Sequence, residues 1–180
     1  MRRAGYDVHY ASDCELLQTE YKELADEYGR EVHAFLGDRL VSIAFFGSVA
    51  RGEATPESDL DVLVIARNLP SDVGFRIRET MPVHDAVRRG DAYKRLRLQG
   101  RSAFVSDLFL SPEEAKAHPP ILLDLVDDAF ITYDNDGFLE GVLKNIRERL
   151  NELKAKKVRA SKGYYWILKP NAKPTEVVTI

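Results

Sequence analysis

The sequence predicts an α/β (α+β) fold in which helices cover a sheet of about four or five strands. Two observations lead to this prediction. Short apolar runs rich in β-branched and aromatic residues recur along the chain, and amphipathic segments with helical spacing separate them. The 180 residues, 44% hydrophobic and 31% charged, are enough for one domain with its own core.

The first third of the chain predicts one helix and two strands. Ser12-Asp13-Cys14-Glu15 fits a capping box, and apolar residues at helical spacing follow, so a long amphipathic helix is expected over roughly 13–36. The runs LVSIAFF (40–46) and LDVLVIA (60–66) are short, apolar and β-branched, which predicts two buried strands.

The middle of the chain alternates in the same way. Residues 72–99 are expected to be mainly helical, with Pro82 kinking or splitting the helix. SAFVSDLFL (102–110) predicts a third strand. Ser111 then precedes a proline and two glutamates, which is the pattern of a capped helix start.

The last part predicts a short strand over 128–133, a turn, and a final helix over about 138–157. The remaining stretch contains two prolines and has no helical period, so we expect it to run extended over the body of the protein. These elements divide the single domain into a helical extension (1–37), a core (38–135) and a C-terminal helix with an aromatic and basic tail (136–180).

Composition excludes several classes of protein. A single cysteine, Cys14, allows neither an internal disulfide nor a multi-cysteine zinc site, and the four histidines show no ligand spacing. No apolar stretch reaches the roughly 18 residues that cross a bilayer, and the first residues lack the apolar core of a secretory signal. The expected location is the cytoplasm.

Charge is distributed unevenly. Residues 141–180 carry ten Lys and Arg against three acidic residues, a net charge of +7 in a chain whose net charge is −3. Such a region could meet phosphate, nucleic acid or an acidic partner, or could simply be a solvated, lysine-rich helix. Residues 72–99 are also basic, and a solvated face is the preferred interpretation there.

Two carboxylates stand at the start of the second predicted strand. Asp59 and Asp61 are two residues apart, so their side chains project from the same face, about 7 Å apart along the strand. Two ionised carboxylates this close repel unless a cation lies between them. Mg²⁺ suits such oxygen ligands and commonly takes the rest of its ligands from water and substrate phosphates.

A Gly-Ser turn ends the first predicted strand, ten residues upstream. Gly47 permits a sharp turn and a close approach of a ligand to the backbone, and Ser48 adds a hydroxyl. Arg51 adds a positive charge. Each half alone is more often an ordinary turn or a solvated acidic pair, but their order along the chain favours a site for a nucleoside triphosphate and its metal.

The stretch GSVARGEATPESDLDVLV (47–64) closely resembles the signature of the DNA polymerase beta-type nucleotidyltransferase superfamily, in particular its small stand-alone members, the minimal nucleotidyltransferases. The resemblance implies a nucleotidyltransferase fold with a mixed sheet. It also implies that Gly47 and Ser48 hold the β- and γ-phosphates of ATP or another NTP, with Arg51 beside them, and that Asp59 and Asp61 bind Mg²⁺.

The family also uses a third carboxylate on a neighbouring strand. Asp107, within AFVSDLFLS, is the best match, and the resemblance then implies two Mg²⁺ ions held by Asp59, Asp61 and Asp107 as the catalytic residues. Strand alternation places Asp107 on the face of Val105 and Phe109, so the match is imperfect. Asp85 is the less favoured alternative, because it falls on a predicted helix among basic residues.

The implied reaction is the transfer of a nucleoside monophosphate, AMP from ATP by preference, to a hydroxyl of a protein or small molecule. By resemblance, the partner is a small helical protein that can receive AMP on a tyrosine. A catalytically weak, antitoxin-like nucleotide-binding protein and an RNA-end modifier remain alternatives, and oligomerisation stays open. The aromatic tail Tyr164-Tyr165-Trp166 is expected to pack against the protein, with base stacking as the other possibility.

Overall fold

The computed structural model describes residues 19–160, 163–173 and 175–180. The helices are Lys22–Leu36 (α1), Gly47–Ala50 (α2), Val73–Arg89 (α3), Asp91–Leu98 (α4), Pro112–Lys116 (α5), Leu122–Asp128 (α6) and Phe138–Glu152 (α7). The strands are Leu40–Phe46 (β1), Leu60–Ala66 (β2), Val105–Leu110 (β3), Phe130–Asp134 (β4), Lys156–Arg159 (β5) and Tyr164–Ile167 (β6). Short 3-10 turns at Thr19–Tyr21, Gly37–Arg39 and Asn135–Gly137 complete the elements.

Four strands form a mixed sheet in the order β3-β2-β1-β4. Strand β1 is antiparallel to both β2 and β4, and β2 is parallel to β3. The remaining two strands, β5 and β6, form a separate antiparallel hairpin, referred to below as the C-terminal hairpin (156–167). The expected α/β architecture with a mixed sheet is therefore confirmed.

The two faces of the sheet are covered by different helices. Helices α1, α3 and α4 pack on one face, where Val62 and Val64 of β2 are buried. Helices α6 and α7 pack on the other face, where Leu63 and Ile65 are buried. Because side chains alternate along a strand, Asp61 projects to the same side as Leu63, toward the layer of α6 and α7.

The predicted helix over 72–99 is divided at Gly90 and not at Pro82, which lies inside α3. Both Pro82 and Arg78 are on the exposed side of α3, so water can satisfy the carbonyl that loses its intrahelical partner. At Gly90 a Cβ would overlap the carboxylate of Glu27, whose Oε2 accepts a hydrogen bond from Ala92 N at 3.2 Å. This contact from α1 caps the start of α4.

Other boundaries differ modestly from the predictions. The start predicted for the first helix lies outside the described residues; α1 begins at Lys22, after the 3-10 turn. The final helix ends at Glu152, close to Lys154, which has a left-handed φ of 54°. Beyond it the chain forms the C-terminal hairpin before its extended end. Over the part of the chain that the structure describes, no helix has the length and apolar character needed to span a bilayer.

Candidate active site

The Gly-Ser turn joins β1 to α2, directly beside β2. Gly47 has a φ of 75°, a conformation that favours glycine. A Cβ at this position would lie 3.1 Å from Asp61 Cγ and would overlap Asp61 Oδ2. The turn is closed by backbone hydrogen bonds from Arg51 N to Gly47 O (3.1 Å) and from Glu53 N to Ser48 O (2.8 Å). Glycine is thus required both by the backbone and by the neighbouring carboxylate.

Strand pairing brings Asp61 to this turn. In the antiparallel ladder of β1 and β2, Asp61 is the partner of Phe46, the last residue before Gly47. Its side chain is partly buried against the turn. The thirteen residues between Gly47 and Asp61 therefore form a connection that leaves β1 and returns at the start of β2 to the same point. The structure brings Gly47, Ser48 and Asp61 together, as the sequence pattern indicates.

Asp59 lies one residue before β2 and is partly buried. Its Oδ1 accepts a hydrogen bond from Ser102 Oγ at 2.9 Å, which ties the start of β2 to the segment leading into β3. The backbone reinforces this link, since Leu60 N donates to Phe104 O at 2.9 Å. Asp59 is close enough to Asp61 for its negative charge to act on the Asp61 carboxyl.

The pKa of Asp61 is raised above its ordinary value, mainly by burial and then by the negative charge of Asp59. Asp124 on α6 raises this pKa further, whereas the Arg51 charge and a hydrogen bond from Ser106 lower it. Repulsion from Asp59 and partial burial thus both disfavour the ionised form of Asp61. A cation between the two carboxylates would relieve both costs.

The donor set fits a divalent cation with oxygen ligands. Among the described residues, no group of three or more His, Cys, Asp or Glu side chains is arranged to hold a metal ion. The carboxylates that would hold such an ion are those of the pair, Asp59 and Asp61. Such a site suits Mg²⁺, which binds through one or two carboxylates and completes its shell with water and substrate phosphates.

The structure does not bring Asp107 to this pair, which corrects the expectation of a three-carboxylate, two-ion centre. In the parallel ladder, Ser106 is the partner of Asp61, and Asp107 is the partner of Val62. Alternation then turns Asp107 to the opposite face of the sheet. The residue at the expected position of the third acid is Ser106, which hydrogen-bonds to Asp61.

Asp107 instead belongs to a polar cluster between β3, α1 and α3. Tyr28 Oη donates a hydrogen bond to Asp107 Oδ2 at 2.6 Å, and His84 Nε2 lies 2.9 Å from the same oxygen. Tyr28 is fully buried, and burial, followed by the charge of Asp107, raises its pKa well above the ordinary value. These contacts explain why an aspartate is tolerated within a largely apolar strand.

Arg51 lies at the end of α2 and faces α6. Its guanidinium is 3.0 Å from Glu53 Oε2 and 3.4 Å from Asp128 Oδ2, and it lies 5.9 Å from the centre of the Tyr164 ring. The positive charge predicted beside the turn is therefore present, and it acts on Asp61. Tyr164 Oη in turn donates a hydrogen bond to Asp124 Oδ1 at 3.1 Å.

Several residues near the site are not identifiable from the sequence pattern. Ser102, Ser106 and Asp124 carry no motif, although alternation along β3 already separates Ser106 from Asp107. The less favoured Asp85 forms a solvent-exposed pair with Arg88, at 3.8 Å, as a solvated helix face would. In the aromatic tail, Trp166 packs against the core on the α6 and α7 side, which supports packing over base stacking.

Comparisons with known proteins identify the family to which the chain belongs. A family model described as a nucleotidyltransferase domain matches residues 30–173. MJ1305 of Methanocaldococcus jannaschii, named provisionally as a protein adenylyltransferase, is 30% identical over 139 residues, covering 73% of this chain and 84% of that protein. MJ0141 of the same organism, named in the same way, is 36% identical over 52 residues, covering 29% of this chain and 52% of that protein.

Two solved structures also show a likeness. A toxin-antitoxin complex with AMP-PNP aligns with a TM-score of 0.43 and 15% identity, over 69% of this chain and 91% of that chain. The MntA-HepT toxin-antitoxin aligns with a TM-score of 0.40 and 13% identity, over 72% and 92% of the two chains. The family match spans most of the sequence, including the turn and both aspartates. The chain therefore belongs to the nucleotidyltransferase domain family.

Proposed function

We propose that this nucleotidyltransferase transfers AMP from ATP to a hydroxyl group of a protein or a small molecule. The observation that carries the proposal is the contact between the Gly47 backbone and the Asp61 carboxylate. It supports the proposal because the Gly-Ser turn, proposed to bind phosphates, adjoins the acidic pair, proposed to bind the metal. Those are the two halves that a triphosphate and its divalent cation need.

In this proposal, Asp59 and Asp61 hold Mg²⁺, and the backbone N–H groups of Gly47 and Ser48, with Arg51, bind the phosphates. The bound ion supplies charge neutralisation for the phosphates and for the leaving pyrophosphate. Gly47 keeps the turn close to Asp61, and Ser106 and Ser102 orient the two carboxylates through hydrogen bonds. The acceptor oxygen forms a bond to the α-phosphorus and its proton passes to water, while the bond from that phosphorus to the bridging oxygen breaks and pyrophosphate leaves.

The choice of AMP and of a protein acceptor draws support from MJ1305, which is named provisionally as a protein adenylyltransferase. A small helical protein remains the partner that the sequence resemblance implies. The position of Asp107 favours one competing function, that of a nucleotide-binding partner with weak catalysis, because the third acid expected of a fully active site is turned away.

Chelation of divalent cations provides the direct test. We expect EDTA to abolish ATP-dependent pyrophosphate release and excess Mg²⁺ to restore it, without any fall in the melting temperature (Tm) from chelation. Because the pKa of Asp61 is raised, its carboxyl becomes protonated at a higher pH than an ordinary aspartate. The affinity for Mg²⁺ should therefore begin to fall at a correspondingly higher pH as the solution is acidified. Mg²⁺-dependent ATP binding with no pyrophosphate release, across protein and small-molecule acceptors, would support the weakly catalytic alternative.

Replacement of Asp107 by asparagine separates a structural role from a metal-binding one. We expect the free energy of unfolding to fall by about 1–3 kcal/mol, because Tyr28 and His84 both contact its Oδ2. Transfer per folded molecule should fall by less than about tenfold, which is about 1.4 kcal/mol. Urea denaturation and initial rates measure the two effects. A severe loss of transfer at unchanged stability would contradict this structural role and support a metal-binding role for Asp107.

A further inference from the structure

The C-terminal hairpin places a second cation next to Arg51. Lys157 Nζ lies 3.5 Å from Asp128 Oδ2, the same oxygen that Arg51 Nη1 approaches to 3.4 Å. The two nitrogens therefore cannot be further apart than the sum of those distances. The side chains of Arg51, Lys157 and Asp128 are each more than two thirds buried. A single anionic oxygen joins a cation from the Gly-Ser turn to a cation more than one hundred residues later.

An aromatic ring holds the two cations in place. Lys157 Nζ lies 3.9 Å from the centre of the Tyr164 ring, and the Arg51 guanidinium carbon lies 5.9 Å from it. The hydroxyl of the same tyrosine donates to Asp124, whose charge acts on Asp61. The hairpin is thus connected to the carboxylate pair through Tyr164 and Asp124.

We infer that Lys157 is a phosphate-binding residue that acts with Arg51 on the terminal phosphate and selects a nucleoside triphosphate over a diphosphate. The inference rests on the proposed nucleotidyl transfer. In the proposed site, Gly47 and Ser48 bind the β- and γ-phosphates, with Arg51 at the end of α2 beside them, so the outer oxygens of the γ-phosphate are left for cations next to the turn. Arg51 is the next cation along the chain, and Lys157 is its neighbour in space.

The Asp128 carboxylate is held weakly enough by the two cations for a phosphate to replace it. At 3.4 and 3.5 Å, both contacts exceed ordinary charge-assisted hydrogen-bond lengths. Each cation also has a closer carboxylate, Glu53 at 3.0 Å for Arg51 and Asp127 at 2.9 Å for Lys157, which leaves donors of both groups for a further anion. A terminal phosphate carries more charge than one carboxylate oxygen and can replace Asp128 between the two cations.

The test compares the binding of Mg²⁺–ATP and Mg²⁺–ADP by titration calorimetry in wild type and Lys157→Met. We expect the wild type to bind ATP more tightly, and the variant to lose about tenfold in ATP affinity with less than about a twofold change for ADP. The ratio of the two dissociation constants does not depend on the folded fraction, so partial destabilisation would not affect it. Lys157→Arg, which keeps the charge, should retain the preference for ATP.

Lys156→Met is the matched control, because Lys156 is the neighbouring residue on β5 and its side chain alternates to the other face. It should leave both affinities unchanged. Equal losses for ATP and ADP in Lys157→Met, or an unchanged ratio, would overturn the inference while leaving the proposed transfer intact. Failure of the wild type to bind Mg²⁺–ATP at all would instead overturn the proposed function itself.

Discussion

Replacing Asp61 by asparagine is expected to lower nucleotidyl transfer at least about 10³-fold and, at neutral pH, to raise the Tm of the metal-free protein by about 1–3 °C. Transfer is lost because the amide lacks the charge that holds a divalent cation beside Asp59. Stability rises because an ionised, partly buried carboxylate next to Asp59 and Asp124 is removed. Label transfer from α-labelled ATP and thermal unfolding in EDTA measure the two effects.

The pH dependence of this variant follows from the direction of the pKa shift. A carboxyl whose folded pKa is raised contributes stability below its unfolded pKa and loses it as pH rises through the folded value. The difference in Tm between Asp61→Asn and wild type should therefore be largest near neutral pH and shrink in acid. Asp85→Asn, on the exposed side of α3, is the control and should change neither the rate of transfer nor the Tm. Near-normal transfer by Asp61→Asn would refute the assigned site.

Replacing Gly47 by alanine is expected to reduce transfer at least about 10²-fold and to lower the free energy of unfolding by about 1–3 kcal/mol. The φ of 75° is unfavourable for alanine, and the new Cβ would overlap the Asp61 carboxylate. The turn and the carboxylate must then separate, which changes the position of the phosphates relative to the metal. Initial rates and urea denaturation check this prediction.

Gly52→Ala is a close control for this change. Gly52 also has a positive φ, of 71°, but a Cβ there has no atom within 4 Å. Both variants should lower the free energy of unfolding, because alanine is unfavourable at a positive φ. Only Gly47→Ala should also lose transfer. If the two variants lost transfer equally, backbone strain in the loop, and not the approach of Gly47 to Asp61, would explain the effect.

The sequence was sufficient for the four strands of the main sheet and for the central part of the site, but it did not predict the C-terminal hairpin. The short length and the β-branched and aromatic residues of LVSIAFF and LDVLVIA favour buried strands over helices, and the structure has β1 and β2 at those residues. The Gly-Ser turn and the two aspartates are close in sequence and joined by one strand pair, so local pattern predicts their meeting. The family match includes this segment but extends over residues 30–173.

The remaining features depend on pairing between distant segments. The periodicity of β3 shows that Asp107 shares a face with Val105, but only the register against β2 shows which face carries Asp61. Gly90 is a local signal for a helix break, but the contact of Glu27 of α1 with the start of α4 depends on the packing of distant segments. Lys157 is one of many lysines in a basic region, and only the folded hairpin sets it beside Arg51.

The two parts of the site also differ in how far apart their residues lie along the chain. The turn and both aspartates fall within 47–61, while Lys157 and Tyr164 arrive from the C-terminal hairpin. If both proposals hold, the residues that act on the α-phosphate lie in a short continuous segment, and those that recognise the terminal phosphate of ATP include a remote one. Substitutions in the hairpin could retune donor preference without altering the residues that make the bond, so the two properties are free to diverge separately during evolution or engineering.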